Sequence, residues 1–517
     1  MDTDYEQKIT MNWILTLPIL VFMVSFFVLP IGNLFLLSSS VVTENIFQDP
    51  YFNHVLRFTY LQAAYSAFLS VGFGFVAAFL IKEWRIFGGN LLWSLGLLFS
   101  SLPSIVVALG LLGSWGPSIG FGWTGILIGH LFLNFGIPMR LIGVALQDRN
   151  RTPELLANSL GMNKRRVFFK ITLPQLKSSL MASWILSFLY SSTSLFIVMF
   201  LGGGPRFTTL EVLLYEAVKL NLNTPKAIQI ASLQALIGGL LFLCYYRMQK
   251  RRVQEGQQPR VNLFLMEKNW VRVSVSLVFW IITFSVLGIP LVFILKDAVW
   301  DWSSNFTSSL LHATASSLKI GLCVVVLGNC ILYPFLHYIY REKGNLLRSG
   351  SVWLVILPQF FSGAVVAFAL SVFYPSLRGN DEWGILGVVL TQTLFAIPLM
   401  YFALNEGFER MAQERFWIAQ SLGANRWQRF FHVELPGMRR PLLLSMLIGF
   451  GFSLGEVVSL LLFAPAHLQT LSLTLFQAMS RYRFQEAHAA TGVLLVMIVI
   501  LFLIMGSLEE KDGSGQN

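Results

Sequence analysis

The sequence predicts an all-α polytopic membrane fold built from two tandem repeats, and three observations predict it. Of 517 residues, 55% are hydrophobic and only 12% charged, about half the charged fraction of a soluble globular chain. Apolar runs long enough to cross a ~30 Å hydrocarbon layer, each needing about 20 helical residues, recur twelve times. One basic passage between such runs, "ANSLGMNKRRVFFKITLP" (157–174), returns as "AQSLGANRWQRFFHVELP" (419–436) with 9 of 18 positions identical.

The runs are centred on 11–37, 57–81, 90–114, 122–146, 179–201, 228–247, 270–296, 314–340, 350–374, 384–406, 442–464 and 487–507. The first lacks a small-residue cleavage site after it and reads as a retained helix rather than a signal peptide. With the amino terminus inside, twelve spans also return the carboxyl terminus to the cytoplasm. Segments 82–85, 140–178, 247–272, 341–348 and 405–441 then face inward and, with the two tails, hold 28 of the 37 Lys and Arg residues. An inner-side excess of basic loops orients helices in a bilayer, so the net charge of +11 is topological and does not point to nucleic acid. Cys244, Cys323 and Cys330 lie inside spans without zinc-ligand spacing and read as small apolar residues.

The copies lie 262 residues apart, a period suited to a duplicated domain rather than a solenoid. "GIPMR" (136–140) and "AIPLM" (396–400) precede them, and "TLEVLLYEAV" (209–218) and "TLSLTLFQAM" (470–479) follow. Each copy falls between the fourth and fifth spans of its half, so the repeats share one orientation about an axis along the membrane normal. The division is a first half at 1–246 with its loop at 147–178, a polar basic linker at 247–269, and a second half at 270–517 with its loop at 405–441.

Within the first passage, Thr152 reads as a helix N-cap, Pro153 as the first helical residue and Glu154 as an acid in the first turn. Gly161 ends that helix, Asn163 caps a second, and Pro174 limits it. The second copy keeps Gly423, Asn425, Phe430, Phe431, Leu435 and Pro436 in register. The expectation is a helix–turn–helix knob at the cytoplasmic surface, charged on one side, with Phe168, Phe169 and Ile171 on the other. An interfacial helix attracted to anionic lipid would tolerate sequence change, whereas these residues recur in register. Docking to a protein is the favoured reading.

"A-x-S-L-G-x(9)-[IV]-x-L-P" resembles the cytoplasmic coupling motif, the EAA loop, of binding-protein-dependent ABC importer permeases. The resemblance implies the type I ABC importer permease fold in the inner membrane of a bacterium. It also implies two cytoplasmic ABC ATPase subunits, which would use ATP-Mg while this chain binds no cofactor, and a periplasmic substrate-binding protein. The coupling residues it implies are Glu154, Ala157, Leu160, Gly161, Leu173 and Pro174 in the first copy, and Ala419, Leu422, Gly423, Leu435 and Pro436 in the second. The family's paired acids are only partly present: Glu154 stands alone in the first copy, and the second has Phe416 and Trp417 there, with Glu414 displaced by two. Within the family the chain is most similar to thiamine importer permeases, also single chains of two fused halves, through "HVLRFTYLQAAYSAFLSV" (54–71), "LGGGPRFTTLEVLLYEA" (201–217) and "SRYRFQEAHAA" (480–490). Ferric-iron importer permeases share the "LGGGP…TLE…Y" style and are the alternative.

No "GxxxxGK[ST]" phosphate loop occurs, and the seven histidines show no ligand spacing or nucleophile dyad, so the chain reads as a transport subunit rather than an enzyme. Glu456 in "GFSLGEVVSLLLF" is the sharpest single residue, because an acid at mid-span is unfavourable by about 2.5–3.5 kcal/mol and marks a functional candidate. It lines or gates a route for a cationic solute, or it only pins helices; the sequence weighs these equally. Ser453 beside it, Ser194 in the corresponding first-half segment, and the lone polar residues His130, Asn134 and Gln392 are further pathway candidates. A twelve-helix secondary transporter is the rival class. It would require an ionisable network in the spans and gives no reason for a doubled docking passage.

Overall fold

The computed structural model describes residues 16–41, 46–253, 270–305, 308–341, 352–378, 381–410, 418–419 and 421–513, and every element among them is helical. Glu414, Phe416, Trp417 and most of the linker, 254–269, lie outside the described residues; 247–253 continue a helix. The first half runs through α1 (Leu17–Ser40), α2 (Pro50–Lys82), α3 (Gly89–Ser101), α4 (Ser104–Gly116), α5 (Gly122–Asn134) and α6 (Gly136–Asp148). Then come α7 (Thr152–Ser159), α8 (Lys164–Val167), α9 (Leu173–Ser192), α10 (Phe196–Leu201), α11 (Leu210–Tyr215) and α12 (Thr224–Met248). The second half comprises α13 (Val273–Ala298), α14 (Ser308–Tyr340), α15 (Val352–Phe360), α16 (Gly363–Phe373) and α17 (Asp381–Glu409), then α18 (Arg426–Arg429), α19 (Arg439–Gly455), α20 (Val458–Phe463), α21 (Leu471–Ser480) and α22 (Phe484–Met505).

Seven of these, α1, α2, α12, α13, α14, α17 and α22, are long and apolar enough to cross a membrane unbroken. The other five expected spans are broken helices. α3 with α4, α5 with α6 (bent by 45°) and α15 with α16 (bent by 102°) are bent pairs. Leu102, between α3 and α4, is extended (ψ 139°) because it precedes Pro103. α9 and α19 each stop short and resume as α10 and α20, whose bounds match at the repeat offset: 458 − 196 and 463 − 201 are both 262.

Prolines also set a second recurring device. The wide helical turns Val24–Val28, Phe168–Thr172, Phe284–Gly288 and Phe430–Glu434 each end two residues before a proline: Pro30, Pro174, Pro290 and Pro436. Proline has no amide hydrogen and clashes with the carbonyl four residues back, and one widened turn with an i→i−5 bond, such as Leu173 N to Phe168 O, accommodates it without a break. Pro174 therefore does not limit the second arm of the passage, as its sequence suggested. The chain runs helically from Lys164 to Ser192.

The chain divides into two compact units, one of Thr43–Lys226 with Leu236–Trp300, the other of Met1–Val42, Ala227–Ala235 and Asp301–Asn517. These units are not the sequence halves, because each takes the first span of the other half. In one, α2 packs on α5, α6 and α9. Gly74 permits the closest approach there, since a Cβ on it would lie 2.7 Å from Pro138 Cβ. α13 joins this unit through Phe279 stacked on Phe73 (centroids 5.2 Å) and Trp280 Nε1 donating to Phe87 O at 3.0 Å. In the other unit α14, α17 and α19 pack together, and α1 joins through Phe27 edge-on to Phe361 (4.9 Å) and Tyr374 OH donating to Ser25 O at 3.3 Å.

Candidate functional site

The first repeated passage folds as a short arm, a glycine turn and a second arm that continues into a span; the second shows the same glycine turn and a second arm that reaches α19 through a turn at Met438. In the first, α7 begins one residue earlier than its sequence suggests. Thr152 is already helical, and Asn150 supplies the cap, its Oδ1 accepting from the Thr152 amide at 2.9 Å. Asparagine reaches this amide from two residues before, which threonine inside the turn cannot. Gly161 closes α7 with φ +77° and Gly423 holds the same position at +79°. Asn163 caps α8 through the Arg165 amide (3.2 Å). Asn425 and Gln428 cap the second copy reciprocally at 2.8 and 2.9 Å, a capping box.

The first knob is fastened by charge. Arg149 forks onto Glu154 (Nε to Oε1, 2.9 Å; Nη2 to Oε2, 3.2 Å) and reaches Glu83 at 2.6 Å, which Arg151 also contacts at 2.9 Å. Thr172 Oγ1 donates to Glu154 at 2.6 Å, tying the second arm to the first. Burial alone would lower the Arg149 guanidinium; its bonds to Glu83 and Glu154 outweigh that and hold it above its ordinary value. Glu154 thus sits inside the joint between α7, the wide turn at Phe168–Thr172 and the end of α2. The second knob uses another acid. Glu434, the positional counterpart of Thr172 (172 + 262), is buried and bonded to His337 on α14. Aromatic contacts repeat the plan: Phe168 against Phe75 and Phe79 of α2, Phe430 against Tyr333 of α14.

The outer faces of the knobs are apolar at the tip. Leu160 is 85% and Leu422 81% exposed, each beside its glycine, and Phe169 and Phe431 are exposed too. The expectation that Phe169 faces away from the charges is therefore corrected: Phe168 is turned onto α2, and Phe169 shares the open side with Lys164, Arg165 and Arg166. Ala157 is buried, Ala419, Leu173 and Leu435 are half-buried, and Pro174 and Pro436 are exposed. In the second copy Trp427 and Gln428 are exposed, with Trp427 stacked on Phe431.

The pathway candidates collect into two buried clusters, one in each unit. Ser453 Oγ donates to Gln392 Oε1 at 2.5 Å, and Gln392 Nε2 faces Glu456 at 3.4 Å and Ser459 Oγ at 3.3 Å. The Glu456 carboxylate accepts from the Ser459 amide (3.1 Å) and the Ser459 hydroxyl, so it caps the start of α20 across the break after α19. In the other unit His130 Nδ1 meets Ser66 Oγ at 3.1 Å, Asn134 donates to Ser191 Oγ at 3.0 Å, and Gln62 donates to Ser191 O at 2.9 Å. The clusters are repeat-related: 392 − 130, 453 − 191 and 456 − 194 are each 262. Ser194, opposite Glu456 in this correspondence, lies half-buried in the gap between α9 and α10. Sequence reasoning missed Gln62, Ser66, Ser191 and Ser459; only the offset to residues already singled out points to Ser191.

Apolar spans, a doubled surface knob and repeat-related polar breaks define a multi-pass membrane transport component. Residues 70–255 and 335–510 match the binding-protein-dependent transport system inner membrane component family, and the chain belongs to that family. It is similar to the thiamine transport system permease protein ThiP of Haemophilus influenzae, 27% identical over 522 residues and 95% of both chains. Similarity to ThiP of Escherichia coli is 27% over 498 residues, covering 90% of this chain and 91% of that one. The inner membrane ABC transporter permease protein YnjC of Escherichia coli is 23% identical over 362 residues, 69% of this chain and 66% of that one.

Proposed function

We propose that this chain is the fused permease of an ATP-driven importer for thiamine, loaded by a periplasmic binding protein and worked by two cytoplasmic ATPase subunits seated on the two knobs. The observation that carries this reading is the doubled knob itself, with matched glycine turns, matched wide turns at the prolines and matched apolar tips. The thiamine assignment is supported by the ThiP relatives, which align along nearly the whole chain. Both termini and both knobs would lie on the cytoplasmic side.

The knobs suit mechanical work because neither is a loose loop. The first is fixed to α2 by the Arg149 joint and is helically continuous with α9; the second is fixed to α14 by Glu434 and His337. A push on either knob would move two spans together. Coupling ions would have no part, and nucleotide hydrolysis would belong to the partner subunits. The break after α19, held by Glu456, and its counterpart after α9 are where such motion would change the solute route.

Purifying the binding protein of this system and measuring thiamine against ferric-ion affinity tests the substrate. Tight thiamine binding is the expected result, and selective ferric-ion binding would replace thiamine with the metal as cargo.

A further inference from the structure

The inner end of α2 carries a pair of cations that the first knob does not use. Lys82 Nζ stands 3.7 Å from the centroid of the Trp93 ring, and the Arg140 guanidinium flanks the same ring at 5.2 Å. Arg140 is held there by Nη2 donating to Trp93 O at 3.1 Å. Gly143, three residues further along α6, seats the ring, since a Cβ on it would lie 2.6 Å from Trp93 Cζ3. The end of α2, the first turns of α3 and the middle of α6 thus bring two like charges to one tryptophan. All three side chains are half-buried, so the ring and both cations keep an open side.

Two cations beside one ring repel each other, and the ring face offsets only part of that. The neighbouring acid gives no relief. Glu83 is committed to Arg149 and Arg151 in the joint of the first knob, and Lys82 has no carboxylate in bonding reach among the described residues. The arrangement also belongs to one repeat only. α2 (Pro50–Lys82) and α14 (Ser308–Tyr340) correspond end to end, 308 − 50 and 340 − 82 both being 258, so Tyr340 matches Lys82. Its hydroxyl donates to Asn405 Oδ1 at 2.9 Å, with Glu409 Oε1 also in reach at 3.0 Å. Arg140, the last residue of "GIPMR", is matched by Met400 of "AIPLM", which is buried. Charge kept only to orient spans needs neither an aromatic seat nor a fixed bond to a carbonyl.

We propose that Lys82, Trp93 and Arg140 form a binding site for the phosphate of an anionic phospholipid in the cytoplasmic leaflet. This rests on the transporter reading above only in placing the knob end of α2 on the cytoplasmic side. The site lies at the terminus of a membrane-spanning helix, the level at which headgroups lie and tryptophan rings collect. Phe87 and Leu91, 96% and 59% exposed, present apolar surface between α2 and α3 and on α3 itself. That surface suits a lipid and gives nothing to a free phosphate in water. Anionic lipids charge the inner leaflet, and basic sites between spans take their headgroups. Lys82 offers such a phosphodiester a point charge, and Arg140 offers a planar fork.

The test titrates the full-length chain in detergent with phosphatidylglycerol or phosphatidylcholine and reads bound lipid by native mass spectrometry. Phosphatidylglycerol should occupy one site that phosphatidylcholine fills only weakly. Its affinity should fall about fivefold in Lys82→Gln or Arg140→Gln, about 25-fold in the double variant, and stay within about twofold in Lys82→Arg. The pair Arg165→Gln, Arg166→Gln, which removes exposed cations of the first knob, should leave affinity unchanged. An equal loss in that pair would mean diffuse attraction and overturns the site, as does equal binding of the two lipids. A loss in Lys82→Arg as large as in Lys82→Gln also overturns it, because the charge is then not what binds. Displacement of the lipid by millimolar inorganic phosphate would overturn the lipid assignment in favour of a free phosphate ligand. No step uses ATP, thiamine or a partner protein, so this result and the importer reading stand or fall separately.

Discussion

The hydroxyl of Thr59 accepts a hydrogen bond from the backbone amide of Leu210 at 2.9 Å, across 151 positions of sequence. Ser317 does the same for Leu471 at 2.9 Å, across 154. Both hydroxyls lie on the second long helix of their half, and both amides open the helix after the repeated Thr–Leu pair. Amides at a helix start have no intrahelical partner, so here the span supplies one. Thr59→Val conserves shape and strands the amide, a loss of about 1–3 kcal/mol. Thr59→Val and Ser317→Ala should each lower Tm without changing ATPase co-purification; wild-type Tm in both would show that the bond contributes nothing.

The Arg149 joint makes a more selective prediction. Arg149→Met leaves Glu83 and Glu154 buried with half their countercharge, a cost of about 3 kcal/mol or more, and should detach the first knob from α2. With cysteines introduced as Leu160→Cys and Leu422→Cys, cross-linking to the ATPase should be lost at position 160 and kept at 422. Equal cross-linking at both positions would show that the joint does not position the knob.

Much of this organisation was legible in the sequence, for identifiable reasons. Gly161 and Gly423 announce themselves because only one backbone geometry explains a glycine kept in that register. His130, Asn134, Gln392 and Glu456 stand out because polar groups are rare in apolar runs. The joints were not legible: Glu83 meets Arg149 across 66 positions and His337 meets Glu434 across 97, and no local pattern encodes either pairing. Pro103 marks one helix break, but the break at Glu456 carries no proline. The exchange of α1 and α13 between units was also invisible, since apolar helices in lipid carry few marks of their partner.

Gly161 and Gly423 give a test that separates conformation from crowding. Nothing lies within 4 Å of a Cβ built on either residue, so any penalty comes from the positive φ alone. Gly161→Val and Gly423→Val should cost about 1–2 kcal/mol locally and abolish ATPase assembly with normal membrane insertion. Gly161→Asn should be tolerated, because asparagine enters this region readily. Loss of assembly in the Asn variant as severe as in the Val variant would contradict the conformational cause.

The Glu456 carboxylate is engaged at the helix break by Ser459 and Gln392, and a capping role separates from a charge role by experiment. Glu456→Gln keeps an acceptor for the Ser459 amide and should retain thiamine uptake within about threefold. Glu456→Ala removes the cap, about 1 kcal/mol, and should lower both Tm and uptake. A hundredfold loss in the Gln variant at normal expression would instead assign the charge to the passing solute.

The importer reading is tested most directly by reconstitution into liposomes. Accumulation of thiamine should require ATP, the ATPase subunits and the binding protein together, and should vanish in the Gly161→Val, Gly423→Val double variant. Accumulation by this chain alone, driven by an ion gradient without nucleotide, would contradict it.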